Sequence, residues 1–132
     1  MDDNLKFRKW DKKIKTMSNV EVLDLRPGQT YTDNPVIMQS TGLKDAIGKE
    51  IYEGDILCTP THYQVIMSDI DRWMDEFFEV KYSSQYGGFI VLPSKEYLSE
   101  GLYAGYGKDG FYHEYPKIVG NIYQNPELIN YV

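Results

Sequence analysis

The stretch that decides the fold is QSTGLKDAIGKEIYEGDI, residues 39–56. Three glycines, Gly42, Gly48 and Gly54, divide it into short pieces, and glycine accepts a positive φ angle at no steric cost. We therefore predict a sharp turn or a positive φ angle at each of the three. The last glycine is followed by Asp55 and an apolar run, so this turn is expected to lead directly into a strand.

Short strands separated by turns are predicted on both sides of this stretch. They cover residues 5–10, 14–17, 20–25 and 36–38 before it and residues 56–58, 63–67, 77–82 and 89–92 after it. Turn-forming residues occupy the connections at 11–13, 26–28, 30–34 and 83–88. The chain therefore predicts a mainly β fold, an SH3-like barrel or a sandwich of short antiparallel strands. Its 132 residues match one domain (1–132), with N-terminal strands in 1–38 and a barrel-like part with a C-terminal tail in 39–132.

One segment departs from the strand pattern. Residues 68–77 place Ile70, Trp73, Met74 and Phe77 at the i, i+3, i+4, i+7 spacing of an amphipathic helix. We predict one short inserted helix here. Its apolar side chains are expected to pack in the core rather than to line a ligand pocket.

Composition excludes several classes of protein. Cys58 is the single cysteine, which excludes an internal disulfide and a zinc site built on several cysteines. No run of eighteen apolar residues occurs, and the charged N-terminal segment lacks the apolar part of a signal peptide. We therefore expect a cytoplasmic protein without a membrane partner.

The net charge of −6 is unevenly distributed. Residues 5–15 hold six cations and one anion, a balance of +5, and the other residues hold 8 cations and 19 anions, a balance of −11. An acidic body repels phosphate, so a nucleic acid is an unexpected partner, although the basic arm 5–15 leaves a weak local contact open. Lysines also suit an exposed edge strand, where they prevent aggregation.

Catalytic and metal-binding patterns are weak. A thiolate–imidazole pair of Cys58 and His62 would need a turn between them, because four residues of an extended strand span roughly 13 Å. His62, Asp109, His113 and Glu114 have no ordered metal-ligand spacing. We predict no catalytic residue, no metal site and no cofactor. A small hydrolase or modifying enzyme that uses Cys58, His62 or His113 is the alternative.

Three segments match the motifs of a known family. Residues 7–11 match F-R-x-W-D, residues 41–56 match T-G-L-x-D-x-x-G-x-x-I-Y-E-G-D-I, and residues 119–128 match I-G-N-I-Y-x-N-P-E-L with Val119 in place of isoleucine. With these motifs in this order, the chain resembles the YopX family, small proteins carried by phages and prophages of low-GC Gram-positive bacteria. The resemblance implies a compact, largely β fold with SH3-like barrel character, a phage or prophage origin and no assigned catalytic residue.

The motif residues are interpreted as determinants of the fold. Those expected in turns or in contacts with turn amides are Gly42, Asp45, Gly48, Gly54, Asp55, Gly120, Asn121 and Pro126. A second set is basic or aromatic and is the candidate for interaction: Arg8, Lys9, Trp10, Tyr103, Tyr106, Tyr112 and Tyr123. Three of these tyrosines belong to segment 101–112, which holds four glycines and is predicted to be a loop.

These observations predict a non-enzymatic interaction or assembly module of phage or prophage origin, located in the cytoplasm of a bacterial host. The separation of a basic arm from an acidic body favours a homo-oligomer, formed head-to-tail or symmetrically. An unknown host or phage protein is the other expected partner.

Overall fold

The computed structural model of the protein describes residues 6–20 and 36–129. The strands in these ranges are β1 (Phe7–Asp11), β2 (Thr16–Val20), β3 (Val36–Lys44), β4 (Glu50–Tyr52), β5 (Asp55–Gln64), β6 (Asp71–Ser83), β7 (Gly88–Leu92), β8 (Glu96–Tyr97), β9 (Gly105–Tyr106), β10 (Tyr112–His113) and β11 (Lys117–Asn121). The described helices are α1 (Leu98–Gly101) and a 3₁₀ turn at Pro126–Leu128. The prediction of a mainly β fold with one short helix is confirmed.

The strands form two curled antiparallel sheets. The smaller sheet has the order β2-β1-β3-β4, and the larger has the order β8-β7-β6-β5-β10-β9, with β11 also paired to β5. β5 is the central strand of the larger sheet. β6 pairs with one edge of β5 along nearly the whole length of β5, while β11 and β10 pair with successive parts of its other edge. Among the described residues, no helix has both the length and the apolar character needed to cross a membrane.

The β5–β6 hairpin occupies the segment for which the sequence predicted a helix. That location is wrong, because residues 71–83 form β6, and positions 71–79 pair with β5 in an unbroken register. The helical spacing was misleading because Trp73 and Met74 are neighbours on opposite faces of one strand. Both are exposed, by 52% and 45%, so they form no stripe packed in the core.

The strand predicted at 63–67 is only partly correct. β5 runs without a break to Gln64, and residues 65–70 connect it to β6. In this connection the Val65 N–H donates to the Ile70 carbonyl at 3.0 Å, and Met67 has a φ angle of +64°. The other strands predicted within the described residues overlap observed strands. Position 5 of the first predicted strand, positions 21–25 of the strand predicted at 20–25, and the connections at 26–28 and 30–34 lie outside the described residues.

The hydrophobic core joins β4 and α1 to the larger sheet. Its buried members are Ile51, Leu57, Val80, Val91 and Leu98, and Leu43, Phe78, Phe89, Leu102 and Ile118 pack against them. Burial of each such large apolar side chain stabilises the fold by about 1.5–3 kcal/mol. The cluster therefore fixes α1 against β7, close to the end of the strand.

The Gly54-Asp55 turn joins β4 to β5, as the sequence predicted. Gly54 has a φ angle of +89°, and a Cβ atom at this position would lie 3.1 Å from the Met38 sulfur. Glycine is therefore favoured both by the backbone and by the close neighbour. Asp55 Oδ2 accepts a hydrogen bond from the Tyr52 N–H at 2.8 Å, which closes the turn.

The rest of the central motif is anchored by a carboxylate. Gly42 and Gly48 have φ angles of +76° and +84°, so the positive φ angle predicted for the three motif glycines is confirmed, although Gly42 lies within β3 rather than in a turn. Between these two, Asp45 Oδ1 accepts hydrogen bonds from two N–H groups of its own loop at 3.1 and 2.8 Å. Its Oδ2 accepts the Ile118 N–H at 3.0 Å, which ties the loop to β11.

The closing motif is held by two asparagine side chains. Asn121 Oδ1 accepts hydrogen bonds from the N–H groups of Tyr123 and Gln124 at 3.1 and 2.9 Å, as predicted for a turn-amide contact. Asn125 Oδ1 accepts the Asn121 N–H at 3.2 Å. The same oxygen would lie 2.4 Å from a Cβ atom at position 120, so Gly120 leaves the space that this amide fills.

A buried ion pair connects β1 to the start of β5. Arg8 Nη1 lies 2.8 Å from Asp55 Oδ1, and the side chains are only 10% and 3% exposed. Arg8 Nη2 also donates to the Glu53 carbonyl at 3.1 Å. Burial raises the pKa of Asp55, and the Arg8 charge and the Tyr52 N–H oppose that rise. The ionised carboxylate therefore depends on its cation.

The C-terminal segment meets β1 at the same junction. Trp10 is 8% exposed and stacks on Tyr123, with ring centres 5.9 Å apart and an angle of 22° between the planes. The Ile122 N–H donates to the Gly54 carbonyl at 2.9 Å. The stacking holds two distant parts of the chain together with an energy of about 0.5–1.5 kcal/mol beyond the burial of the rings.

Removing either member of the buried ion pair is expected to destabilise the fold strongly. Arg8→Met leaves a buried carboxylate without its cation and Asp55→Asn leaves a buried guanidinium without its anion, each at a cost of about 3–5 kcal/mol in the free energy of unfolding. The double variant should cost clearly less than the sum, because neither charge is left alone. Urea denaturation followed by circular dichroism measures all three variants.

Lys9→Met, at a half-buried position of the same strand, is the matched control and should change the free energy of unfolding by less than about 1 kcal/mol. The loss in Arg8→Met should also shrink as the pH falls towards about 4. The folded pKa of Asp55 lies above its unfolded value, so the penalty present at neutral pH disappears as the carboxylate takes up a proton. A loss of unfolding free energy in the double variant that equals the sum of the losses in the two single variants would contradict this account.

Candidate functional site

Four aromatic side chains lie in one row across β9, β10, β5 and β6. On β10, Tyr112 pairs with Tyr106 of β9 and with His62 of β5. On β6, Trp73 pairs with His62. Directly paired residues of antiparallel strands project from the same face of a sheet. The ring centres of Tyr106 and Tyr112 are 5.5 Å apart, those of Tyr112 and Trp73 are 6.3 Å apart, and those of Trp73 and His62 are 4.8 Å apart. We call these four residues the aromatic row.

Apolar surface is concentrated at the end of the β5–β6 hairpin. Tyr106 and Trp73, the ends of the aromatic row, are 78% and 52% exposed, and in the nearby connection Ile66 and Met67 are 89% and 101% exposed. Three further apolar side chains of this segment are 40–45% exposed: Val65, Ile70 and Met74. We call residues 65–74 the apolar hairpin tip. Exposed apolar surface of this kind is typical of an interaction site.

Carboxylates flank the apolar hairpin tip. Asp69 lies in the connection, while Asp71 and Asp75 lie on β6 two positions before and after Trp73. Since side chains alternate along a strand, these two carboxylates share the face of the tryptophan. His62 Nε2 lies 2.5 Å from Asp71 Oδ1. The aromatic row and the carboxylates therefore form one continuous surface.

The connection between β1 and β2, residues 12–15, carries the opposite charge. Asp11 Oδ1 accepts hydrogen bonds from the N–H groups of Lys13 and Ile14 at 2.9 and 3.3 Å, which confirms the turn predicted there. The three lysines of the connection are exposed, and Ile14 among them is 67% exposed. We call residues 12–15 the basic turn, because it surrounds one apolar side chain with cations.

The structure separates the predicted interaction residues into different environments. Arg8 and Trp10 are each 8% exposed, and Tyr123 stacks on Trp10, so these three contribute to the junction between β1 and β5. Lys9 is half-buried on β1. Tyr103 is 38% exposed, and the other two tyrosines belong to the aromatic row rather than to an unstructured loop. An interaction role for these residues stays a prediction.

His62 and Trp73 complete the aromatic row. The helical spacing predicts Trp73 in the core, and the spacing from Cys58 makes His62 a catalytic candidate, so neither pattern predicts this contact. A two-stranded hairpin pairs each residue with its mirror position across the turn, and these two residues are mirror positions. The apolar runs on either side of Ser68 are the sequence feature that could have predicted the aromatic row, if they are paired as a hairpin.

Cys58 lacks the environment of a nucleophile. Burial, followed by the charge and hydrogen bond of Asp75, raises the pKa of this thiol to about 11. The thiol is therefore protonated and unreactive at neutral pH. His62 lies four residues further along the same unbroken strand, and its ring stacks on Trp73. The structure does not bring the two side chains together.

His113 lies in a hydrogen-bonded chain with Asp109 and Thr61. Its Nε2 is 2.9 Å from Asp109 Oδ2, and its Nδ1 is 2.8 Å from Thr61 Oγ1. Burial by itself would raise the pKa of Asp109, but hydrogen bonds from the Phe111 N–H and from His113 lower it. An ionised Asp109 accepts a hydrogen bond from Nε2, and Nδ1 shares the second hydrogen bond with the Thr61 hydroxyl. These hydrogen bonds resemble the Asp-His-hydroxyl arrangement of a hydrolase. However, Thr61 is 0% exposed, which keeps its hydroxyl away from any substrate.

The two histidines project from opposite faces of the larger sheet. His62 pairs with Tyr112, and His113, the next residue, points the other way. Of the residues considered as metal ligands, His113 therefore contacts Asp109, while His62 lies on the other face of the sheet. Within residues 6–20 and 36–129, no group of three or more His, Cys, Asp or Glu side chains is placed to hold a metal ion.

Comparison with known proteins agrees with the resemblance seen in the motifs. The family described as YopX protein matches residues 24–130, a range that begins after the F-R-x-W-D segment. The crystal structure of protein EF1440 from Enterococcus faecalis is similar over 96% of this chain and 99% of that chain, with 30% sequence identity and a TM-score of 0.59. No curated protein shows a significant match.

The Cys58 thiol is expected to be inert in the folded protein. At about pH 8 a thiol of pKa about 11 is almost wholly protonated, so an aromatic disulfide reagent should modify less than about a tenth of the native protein in an hour. In concentrated urea the same reagent should titrate the single thiol completely, which is the control. Rapid modification of the native chain would contradict the buried, protonated thiol.

Proposed function

The chain belongs to the YopX family, and on that premise we propose that it is a non-enzymatic interaction module of a phage or prophage that assembles with further copies of itself. It acts in the cytoplasm of the bacterial host. The observation that carries the proposal is the apolar hairpin tip, where six large apolar side chains within ten residues are 40–101% exposed. Such a surface is unfavourable in a chain that stays alone in water, and a partner that covers it removes the cost.

A second copy of the chain offers the complementary surface. The apolar hairpin tip holds Asp69 and Asp71 and is followed by Asp75, against one cation, Arg72, while the basic turn surrounds Ile14 with three lysines. Each surface thus has an apolar centre and a charged rim, and the two rims have opposite signs. Opposite rims steer association and fix the orientation of the contact. The sequence has the same separation, with a balance of +5 in residues 5–15 and −11 elsewhere.

The contact joins two different parts of the chain. The basic turn connects β1 and β2 in the smaller sheet, whereas the apolar hairpin tip connects β5 and β6 in the larger sheet. A contact between them is either reciprocal, in a two-fold dimer, or repeated from copy to copy in a ring or chain. In both arrangements each copy uses both surfaces, so a change on either surface affects assembly.

Charge reversal on each surface tests this contact. The variants Lys12→Glu/Lys13→Glu and Asp69→Lys/Asp71→Lys should each be monomeric at tens of micromolar. The unchanged chain should be oligomeric at about 50 mM salt and shift towards monomer at about 500 mM salt, where exposed charges are screened. An equimolar mixture of the two variants should associate again, because the reversed rims are complementary. Size-exclusion chromatography with multi-angle light scattering gives the masses.

Glu96→Lys/Glu100→Lys is the matched control for the aspartate variant, because it changes the net charge by the same amount away from both surfaces. This variant should keep the oligomeric state of the unchanged chain. A strict monomer at both salt concentrations would overturn the assembly proposal. Oligomers that survive both charge reversals would show that the contact lies elsewhere.

A further inference from the structure

A cavity of about 530 Å³ opens beside the larger sheet. Thr59 and His113 line it, and both project from the face opposite to His62 of the aromatic row. Four apolar side chains also line it: Leu57, Phe78, Val91 and Leu98. Volume of this size, with apolar walls and a few convergent polar groups, is typical of a site for a small molecule.

We propose that this cavity binds a small organic cation that carries an apolar ring, of the arylalkylamine class. The apolar walls accommodate the ring, and the charged groups of the lining accommodate the ammonium group. This inference does not depend on self-assembly, because neither the basic turn nor the apolar hairpin tip contributes to the cavity lining.

Charge selects the class of ligand. Glu76, Glu96, Glu100 and Asp109 line the cavity together with Lys108, so four carboxylates stand against one ammonium group. A cation that leaves water for an apolar site needs such compensation, because the effective dielectric constant there is lower than in water. An anion of the same shape would meet net repulsion in addition to its loss of hydration.

The protein itself positions two of these carboxylates. Asp109 accepts a hydrogen bond from His113, and Glu76 accepts one from the Tyr63 hydroxyl. Preorganised charges bind a ligand without an additional cost of ordering. Glu96 and Glu100, in contrast, are exposed, so they lie on the solvent side of the cavity and can be replaced without disturbing the core.

The raised pKa of the Tyr103 hydroxyl indicates a negative potential inside the cavity. Its ring lies edge-on to His113, with ring centres 5.9 Å apart. Burial, and after it the charges of Asp109, Glu96 and Glu76, raise the pKa of the Tyr103 hydroxyl. Three of the four carboxylates therefore act together on one point of the cavity wall. The same charges stabilise a bound ammonium group, and the ring adds a cation–π surface.

Three ligands that share the indole ring system separate the effect of ligand charge on affinity from the effect of ligand shape. Tryptamine is a cation, tryptophol is neutral and indole-3-propionate is an anion at neutral pH. By NMR titration of the ¹⁵N-labelled full chain, tryptamine should bind at least about fivefold more tightly than tryptophol, and indole-3-propionate most weakly. The saturable shifts should centre on the amides of Gly101 and Gly107 in the cavity lining, and not on those of the apolar hairpin tip, which does not line the cavity.

Two double variants locate the charges that matter. Glu96→Gln/Glu100→Gln should weaken tryptamine binding at least about fivefold and leave tryptophol within about twofold. The matched control Glu114→Gln/Glu127→Gln removes the same net charge outside the cavity and should keep all affinities within about twofold. The proposal is overturned if tryptamine gives no saturable shifts in the lining, if the anion binds equally well, or if the control weakens tryptamine as much as the cavity variant.

Discussion

Arg8 and Asp55 are buried together where the two sheets meet, and a buried charge pair is stable only while both partners stay in contact. The backbone around this pair is equally constrained. The Gly54 N–H donates to the Val80 carbonyl at 2.8 Å, and the Gly54 carbonyl accepts the Ile122 N–H. One short turn is thus bonded to β1, to β6 and to the segment after β11. Because the guanidinium is a planar fork with fixed geometry, the pair orients β1 against this turn as well as holding it there.

The three sequence motifs that carry the resemblance to the family meet at this junction in space. The opening motif supplies Arg8 and Trp10, the central motif supplies the Gly54-Asp55 turn, and the closing motif supplies Tyr123. Segments far apart in the sequence therefore carry one set of contacts. This explains why the motifs are rich in glycine, aspartate and aromatic residues without forming a reactive group, since their chemistry is that of turns, ion pairing and stacking.

The sequence predicted local backbone chemistry well and the environment of side chains less well. A positive φ angle at Gly48 or an amide contact of Asn121 depends on residues within a few positions, so the residue type is sufficient to predict it. The periodicity that includes Trp73 and Met74 shows which residues are apolar, but it does not show which are covered by other parts of the chain. Here both faces of one strand end carry apolar side chains in contact with water. The cavity draws its lining from β5, β6, β7, β8, α1, β10 and the segment before β10, and no spacing within one segment signals such a site.

The two edges of β5 are expected to be paired at different times during folding. β6 belongs to the same hairpin as β5, so we expect the edge of β5 that faces β6 to be hydrogen-bonded early. The other edge stays unpaired until the distant residues 112–121 bind to it. Pairings between distant residues form slowly, and an open strand edge attracts other chains in the meantime. Pro60 lies in the middle of β5, at the point where the late edge passes from β11 to β10. Since proline has no N–H group to donate, the unpaired edge of β5 is a poor template for a strand of another chain. In the folded protein the Pro60 carbonyl accepts the Glu114 N–H of its own chain.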